Sequence, residues 1–351
     1  MSDQEYFQEN FARAAKAVSQ ALPHITPLIA PSFPTNHPLR QETTRFVLHG
    51  GKRLRPALSL ITAETYDHPD VFVHLALETF HKYLLAHDDI IDRDTVRNGA
   101  LTLPAAFTAL RPDDLDSVHF GNSLAIIAGN LLEAATQSII LEAKLPADIT
   151  RQLQQLVTQA VAEVTWGWCD QFFMDYEPLD SKKLTQKRIE ESLIWVTGRY
   201  SIKLPLVFGL AVAGQTPPPE LLDLADTLGL LYQTGDDLIG IFGDQAQTGK
   251  SNAGDLLQGK KTLPLWFAYN QATLAERDTL RQVVGNTAAT ASILDEARAI
   301  IAKRGRPLAE AHMHNWQATA ETQIQKLTKA LPADLSRFLS GLTTYLVNRE
   351  Y

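Results

Sequence analysis

A chain of 351 residues with 45% apolar side chains can bury a sizeable core, as one large domain or two ordinary ones. Its 32 basic and 40 acidic residues leave a net charge of −8, which argues against nucleic acid as the main partner and makes any basic cluster a local anion site. The lone Cys169 excludes an intramolecular disulfide.

The opening stretch MSDQEYFQENF is acidic and has no apolar export core, and no apolar run reaches the length of a membrane span. A cytoplasmic chain without a transmembrane segment is therefore expected. Helical periodicity runs from end to end with no strand-rich block, so the fold class is all-α. An N-terminal helix with a proline-rich connection (1–38) should precede a single helical domain (39–351).

In chain order, residues 2–22 predict an amphipathic helix, and the prolines of 23–38 end it. HGGKRLRP, His49 to Pro56, follows. Two glycines permit a tight turn there, and Lys52, Arg53 and Arg55 crowd at the start of a helix over 56–66, which makes an anion site. The bland alternative is a solvated basic turn.

The next helix, over 70–92, ends in a burst of carboxylates. Apolar residues at Leu77, Phe80, Leu84, Leu85, Ile90 and Ile91 keep helical spacing, so Asp88, Asp89 and Asp92 project close together at its C-terminal end. The helix dipole is already negative there, and three carboxylates within one turn repel, so a cation must compensate. Mg²⁺ suits such a site because it takes a few carboxylates and fills its other positions with water and phosphate oxygens. A solvated acidic helix end is the alternative.

Further helices are predicted over 117–144, 146–175, 181–213 and 219–242, with several more after Lys261, separated by short Pro and Gly breaks as in an antiparallel bundle. Asp113 and Asp114 follow a proline and precede a helix, which suits N-capping. His312 and His314 fall on different sides of a helix and read as surface residues. The stretch YQTGDDLIGIFGDQAQTGKSNAGDLLQGKK, Tyr232 to Lys261, repeats the acid-ended design. Asp236 and Asp237 precede a glycine-rich loop carrying Asp244, Lys250, Asp255, Lys260 and Lys261. Two acid-pair helices could together hold several divalent ions around one diphosphate, with lysines binding the same anion.

From about residue 40 onward this constellation resembles the all-trans isoprenyl diphosphate synthases. The resemblance implies a helical bundle around a central cavity, a homodimer, and condensation of isopentenyl diphosphate with an allylic diphosphate (dimethylallyl, geranyl or farnesyl). It also implies Mg²⁺, with three ions held by Asp88, Asp89, Asp92, Asp236, Asp237 and Asp244. Arg97, Lys250 and Lys260, with Thr197 and Gln233, would serve the allylic diphosphate side. Lys52, Arg55 and His81 fall at the isopentenyl diphosphate positions. Catalysis would rest on the five motif aspartates and Lys250.

An aromatic five residues before the first aspartate shortens the cavity in that family. Tyr83, with Phe80 and Leu84, is thus expected to set a product of fifteen or twenty carbons. Ordinary core packing is the alternative role for these side chains.

The chain departs from the family pattern at four places. Asn98 stands where a second arginine is usual, and Val196 replaces a lysine before Thr197, for which Arg199 or Lys203 are the nearby substitutes. Gly167 to Gln171 alters a Gly-Gln-x-x-Asp element, with Asp170 as the substitute carboxylate. Gly240 occupies the fifth position of the second acid motif. These departures keep a prenyl-diphosphate-binding subunit of a heteromeric synthase as an alternative. A terpene cyclase is a weaker one, because a cyclase has no second diphosphate for GGKRLRP and His81 to bind.

Overall fold

A computed structural model describes residues 1–243 and 254–348. In chain order its helices are α1 (Asp3–Ala21), a 3₁₀ segment (Leu22–Leu28), α2 (Pro38–Leu48), α3 (Leu54–Glu64), α4 (Leu75–Ile91), α5 (Leu103–Thr108), α6 (Ser117–Glu142), α7 (Ala147–Asp175) and α8 (Gln186–Leu193). A π-helical segment (Ile194–Lys203) follows, then α9 (Leu204–Val212), α10 (Pro219–Phe242), α11 (Gly254–Gln258), α12 (Leu263–Gln271), α13 (Leu274–Val283), α14 (Ala291–Arg304), α15 (Arg306–Leu327) and α16 (Ala333–Val347). The all-α expectation holds. The strands among the described residues are β1 (Val96–Arg97) and β2 (Ala100–Leu101).

The chain divides into two units. The first comprises Gln8–Thr158 and Pro205–Thr216; the second comprises Met1–Phe7, Gln159–Leu204 and Pro217–Tyr351.

In the first unit α4 lies along α6, burying Leu77, Phe80 and Leu84. The approach is close enough that a Cβ at Gly129 would sit 2.3 Å from His87 Cε1, so a side chain at that position of α6 would require the His87 ring to shift. The expected start of α4 at Asp70 is too early. Asp70 Oδ1 accepts from Phe72 N (2.9 Å) in a turn, and the helix begins at Leu75. Asp113 and Asp114 do not cap α6 either. Asp114 Oδ1 accepts from Asp116 N (3.1 Å), and the helix starts only at Ser117.

Among the described helices α6 is long and apolar enough to cross a membrane, contrary to the expectation that no segment is; 44% of its apolar window is buried within the chain. Its buried positions, among them Ala125, Ala128 and Leu132, are those of a core helix packed on α4 and α5.

In the second unit α10 packs against the π segment and α15. Phe7 seats against Phe338 (5.0 Å between ring centroids) and Tyr345 (5.1 Å). Ile241 at the end of α10 joins Leu256, Leu265, Leu280 and Ile301 in one apolar cluster. The helix expected over 181–213 is three segments. Thr185 Oγ1 accepts from Arg188 N and caps α8, so the helix cannot begin before it, and the turns then widen at Ile194. Wide turns of this kind recur at functional sites. His312 is half-buried, its ring stacked on Phe267 at 4.9 Å, while His314 is exposed as expected.

Candidate active site

The acid end of α4 is compensated by a residue of its own unit. Arg97 Nε donates to Asp89 Oδ1 (2.7 Å), and its Nη2 donates to Asp88 Oδ2 (3.3 Å) and Asp94 Oδ2 (3.2 Å). Asp89 is fully buried, and its other carboxylate oxygen has no hydrogen-bond partner. Burial raises the Asp89 carboxyl to about 6, against the pull of Arg97. Burial opposes charge on Arg97 as well, but Asp89, Asp88 and Asp94 hold it protonated. Asp92 is buried at the end of α4.

The hairpin β1–β2 presents Arg97 to these acids. Its register pairs Val96 with Leu101 and Arg97 with Ala100. The two-residue loop has φ of +51° at Asn98 and +74° at Gly99, the signature of a type I′ turn, for which Asn-Gly is the favoured sequence. The asparagine that reads as a lost arginine is thus the residue this turn prefers.

The basic turn His49–Arg53 is equally particular. Gly50, Gly51 and Arg53 all have positive φ (+63°, +89° and +57°). The non-glycine left-handed residue is held by its side chain. Arg53 Nη2 donates to Leu48 O (2.9 Å), and Nη1 pairs with Glu78 of α4, both side chains being buried. Lys52 is exposed on this turn, and Arg55 is buried in the first turn of α3. His81 lies on α4, where burial together with Arg55, Lys82, Arg97 and Arg53 pushes its imidazole well below the usual range, so it is neutral. Phe80 is fully buried with its ring 5.8 Å from Tyr83, and Tyr83 meets His87 edge-on at 5.1 Å. Leu84 is buried beside them.

In the second unit Asp237 of α10 is buried, with Oδ1 accepting from Gln233 Nε2 (2.8 Å) and Oδ2 without a partner. Burial, then Asp255 and Asp236, push its carboxyl well above the usual range. Sequence reasoning placed no weight on Asp255 beyond its being in the loop. Its Oδ2 lies 2.7 Å from where a Cβ of Gly240 would be. The carboxylate absent from the fifth position of the motif is supplied to that spot by α11. Lys260 Nζ lies 3.4 Å from Asp255 Oδ1. Asp244 and Lys250 lie outside the described residues.

Several expected stand-ins are engaged elsewhere. Asp170 pairs with Arg188 (2.8 Å) beside a cleft of about 410 Å³ that no carboxylate of the second motif lines. Asp175, at the end of α7, is the carboxylate at the lysine turn. Its Oδ1 accepts from Lys261 N (3.1 Å), while Lys261 Nζ donates to Asp175 O and Gly259 O (both 2.6 Å). Lys261 is therefore a strut of that turn and not a ligand for an anion. Arg199 pairs with Glu163 (3.3 Å) and stacks on Trp195 at 3.6 Å, so it does not stand in for the lysine missing at Val196. Thr197 is half-buried in the π segment.

Comparison with known proteins decides the family. The model of the polyprenyl synthetase family matches residues 37–301. The chain belongs to the polyprenyl synthetase family. It is 26% identical to the geranylfarnesyl diphosphate synthase of Aeropyrum pernix over 312 residues, 86% of this chain and 91% of that one. It is 29% identical to the farnesyl diphosphate synthase of Escherichia coli K12 over 290 residues, 78% and 89% of the two chains. In fold it is similar to a geranylgeranyl pyrophosphate synthase from Corynebacterium glutamicum solved with isoprenyl diphosphate and magnesium, with a TM-score of 0.82 and 23% identity over the whole of both chains.

In a polyprenyl synthetase, the chemistry of a prenyltransferase, the carboxylates must suit a divalent cation. Among the described residues no three His, Cys, Asp or Glu side chains converge on one point. The donor set nevertheless fits a hard cation. Asp89 and Asp237 each keep a buried oxygen without a partner, and both carboxyls are raised chiefly by burial, a penalty that a bound cation would reverse.

Proposed function

We propose that this polyprenyl synthetase condenses isopentenyl diphosphate with an allylic diphosphate to an all-trans product of fifteen or twenty carbons, as a cytoplasmic homodimer using three Mg²⁺ ions. The observation that carries this reading is the pair Asp89 and Asp237. Each is a buried carboxylate with an unpartnered oxygen, and the two stand one in each acid motif.

The reaction breaks the allylic C–O bond, forms a C–C bond to the homoallylic double bond of isopentenyl diphosphate, and releases a proton and diphosphate. Bound Mg²⁺ would neutralise the charge growing on the leaving group, held by Asp88, Asp89 and Asp92 in one motif and by Asp236, Asp237 and Asp244 in the other. Lys250 and Lys260, with Arg97, Thr197 and Gln233, would orient the allylic diphosphate. Lys52 and Arg55 would hold isopentenyl diphosphate, and neutral His81 can donate one hydrogen bond to it without adding charge. Phe80 and Leu84 give the growing chain an apolar wall that excludes water, and Tyr83 sets its depth.

The test is incubation of the purified chain with Mg²⁺, isopentenyl diphosphate and each of dimethylallyl, geranyl and farnesyl diphosphate, with mass detection of products. Products of fifteen or twenty carbons support the reading. No elongation from any primer, with isopentenyl diphosphate still bound by calorimetry, overturns it in favour of a binding subunit.

A further inference from the structure

Lys82 is a buried cation for which none of the roles above accounts. It sits in the interior of α4, 3% exposed, with Nζ donating to His49 O (2.9 Å) and lying 4.9 Å from the centroid of the Phe46 ring. Among the described residues no carboxylate pairs with it. Glu78, one turn earlier, is engaged by Arg53. A lysine buried without a carboxylate partner is disfavoured against an apolar residue of similar length, so packing alone does not explain it. An ammonium has three N–H donors, and the His49 carbonyl takes one.

We propose that Lys82 is a positioning residue for the anion-binding turn His49–Arg53, setting its affinity for isopentenyl diphosphate. Glu78 and Lys82 stand one helical turn apart on α4 and fix the two ends of that turn, Glu78 through Arg53 and Lys82 through the His49 carbonyl. Exposed Lys52 lies between the two fixed points. The same His49 reaches the hairpin: its Nε2 lies 3.2 Å from Asn98 O, and a Cβ on Gly50 would come within 3.0 Å of Asn98 Cβ. Lys82 thus adds positive charge at the His49 end of the turn, the end that meets uncharged Asn98. Burial lowers its ammonium to about 8, Glu78 opposing the shift and Arg53 adding to it, which leaves it charged at neutral pH.

This inference rests on the synthase reading, and its test separates the two. K82M keeps the length and apolar stem of the side chain, and K82R keeps the charge. We expect K82M to raise KM for isopentenyl diphosphate about tenfold, with KM for the allylic primer within about twofold. K82R should restore most of the loss. Equal rises in both KM values, no rise in either, or failure of K82R to recover would overturn the proposal. Should K82M fail to fold, K82Q reads the same split. If the wild-type chain does not elongate, the synthase reading fails, and calorimetry of isopentenyl diphosphate on wild type and K82M still tests Lys82 through the ratio of Kd values.

Discussion

Asp255 Oδ2 occupies the space where a side chain at Gly240 would begin, 2.7 Å from the Cβ position. Glycine and aspartate are therefore one device: the helix gives up its own side chain so that a carboxylate from α11 can enter beside Asp237. Substitution G240A should push Asp255 aside, and D255A should remove it. Each is expected to lower kcat by about a hundredfold, as loss of one electrostatic group in a site does. The double variant should lose little more than either single one. Steady-state kinetics on the three variants would show additive losses if the two positions acted separately.

Tyr83 packs between Phe80 and His87 on α4, five residues before Asp88. Y83A is expected to lengthen the main product by at least one five-carbon unit, read by chromatography of the dephosphorylated chains. An unchanged length would mean that Tyr83 is core packing and that the floor lies elsewhere.

The buried Arg53–Glu78 pair holds a non-glycine residue at φ +57°. E78A leaves the guanidinium buried without its carboxylate and should cost about 3–5 kcal/mol of stability. Thermal unfolding checks this, and a loss below about 1 kcal/mol would place the stability of the turn in the Arg53–Leu48 hydrogen bond instead.

Asp175 supplies a pH test. Burial raises its carboxyl from 3.8 to about 7, although the Lys261 N–H and the charges of Lys261 and Lys260 pull the other way. Between these values the folded chain keeps a proton that the unfolded chain has released, so stability falls as pH rises through the window. D175N keeps an acceptor for Lys261 N and cannot ionise. Its Tm relative to wild type should climb by a few degrees between pH 5 and pH 8. A constant difference would mean that Asp175 is already ionised at pH 5.

Much of this was legible in the residues. The aspartates of α4 and α10 and the basic turn announce themselves by spacing, and the helices that carry them follow from apolar periodicity. What stayed hidden depended on contacts between distant segments. Asp255 has no sequence relation to Gly240 that spacing could reveal, and nothing near Arg199 in the chain shows that Glu163 engages it. The π segment is hidden for a different reason, because its residues keep an apolar pattern that also suits an ordinary helix. Asn98-Gly99 was the missed opportunity. As a two-residue hairpin signal it was readable, but its place beside Arg97 invited comparison with an arginine pair.

The most direct measurement is elongation of farnesyl and geranyl diphosphate by the wild-type chain, D89N and D237N across a Mg²⁺ titration, with a chelator control. The account predicts saturable Mg²⁺ dependence, no product with the chelator, and losses of at least about a hundredfold in each variant. Product formed at wild-type rates with the chelator, or by either variant, would contradict it.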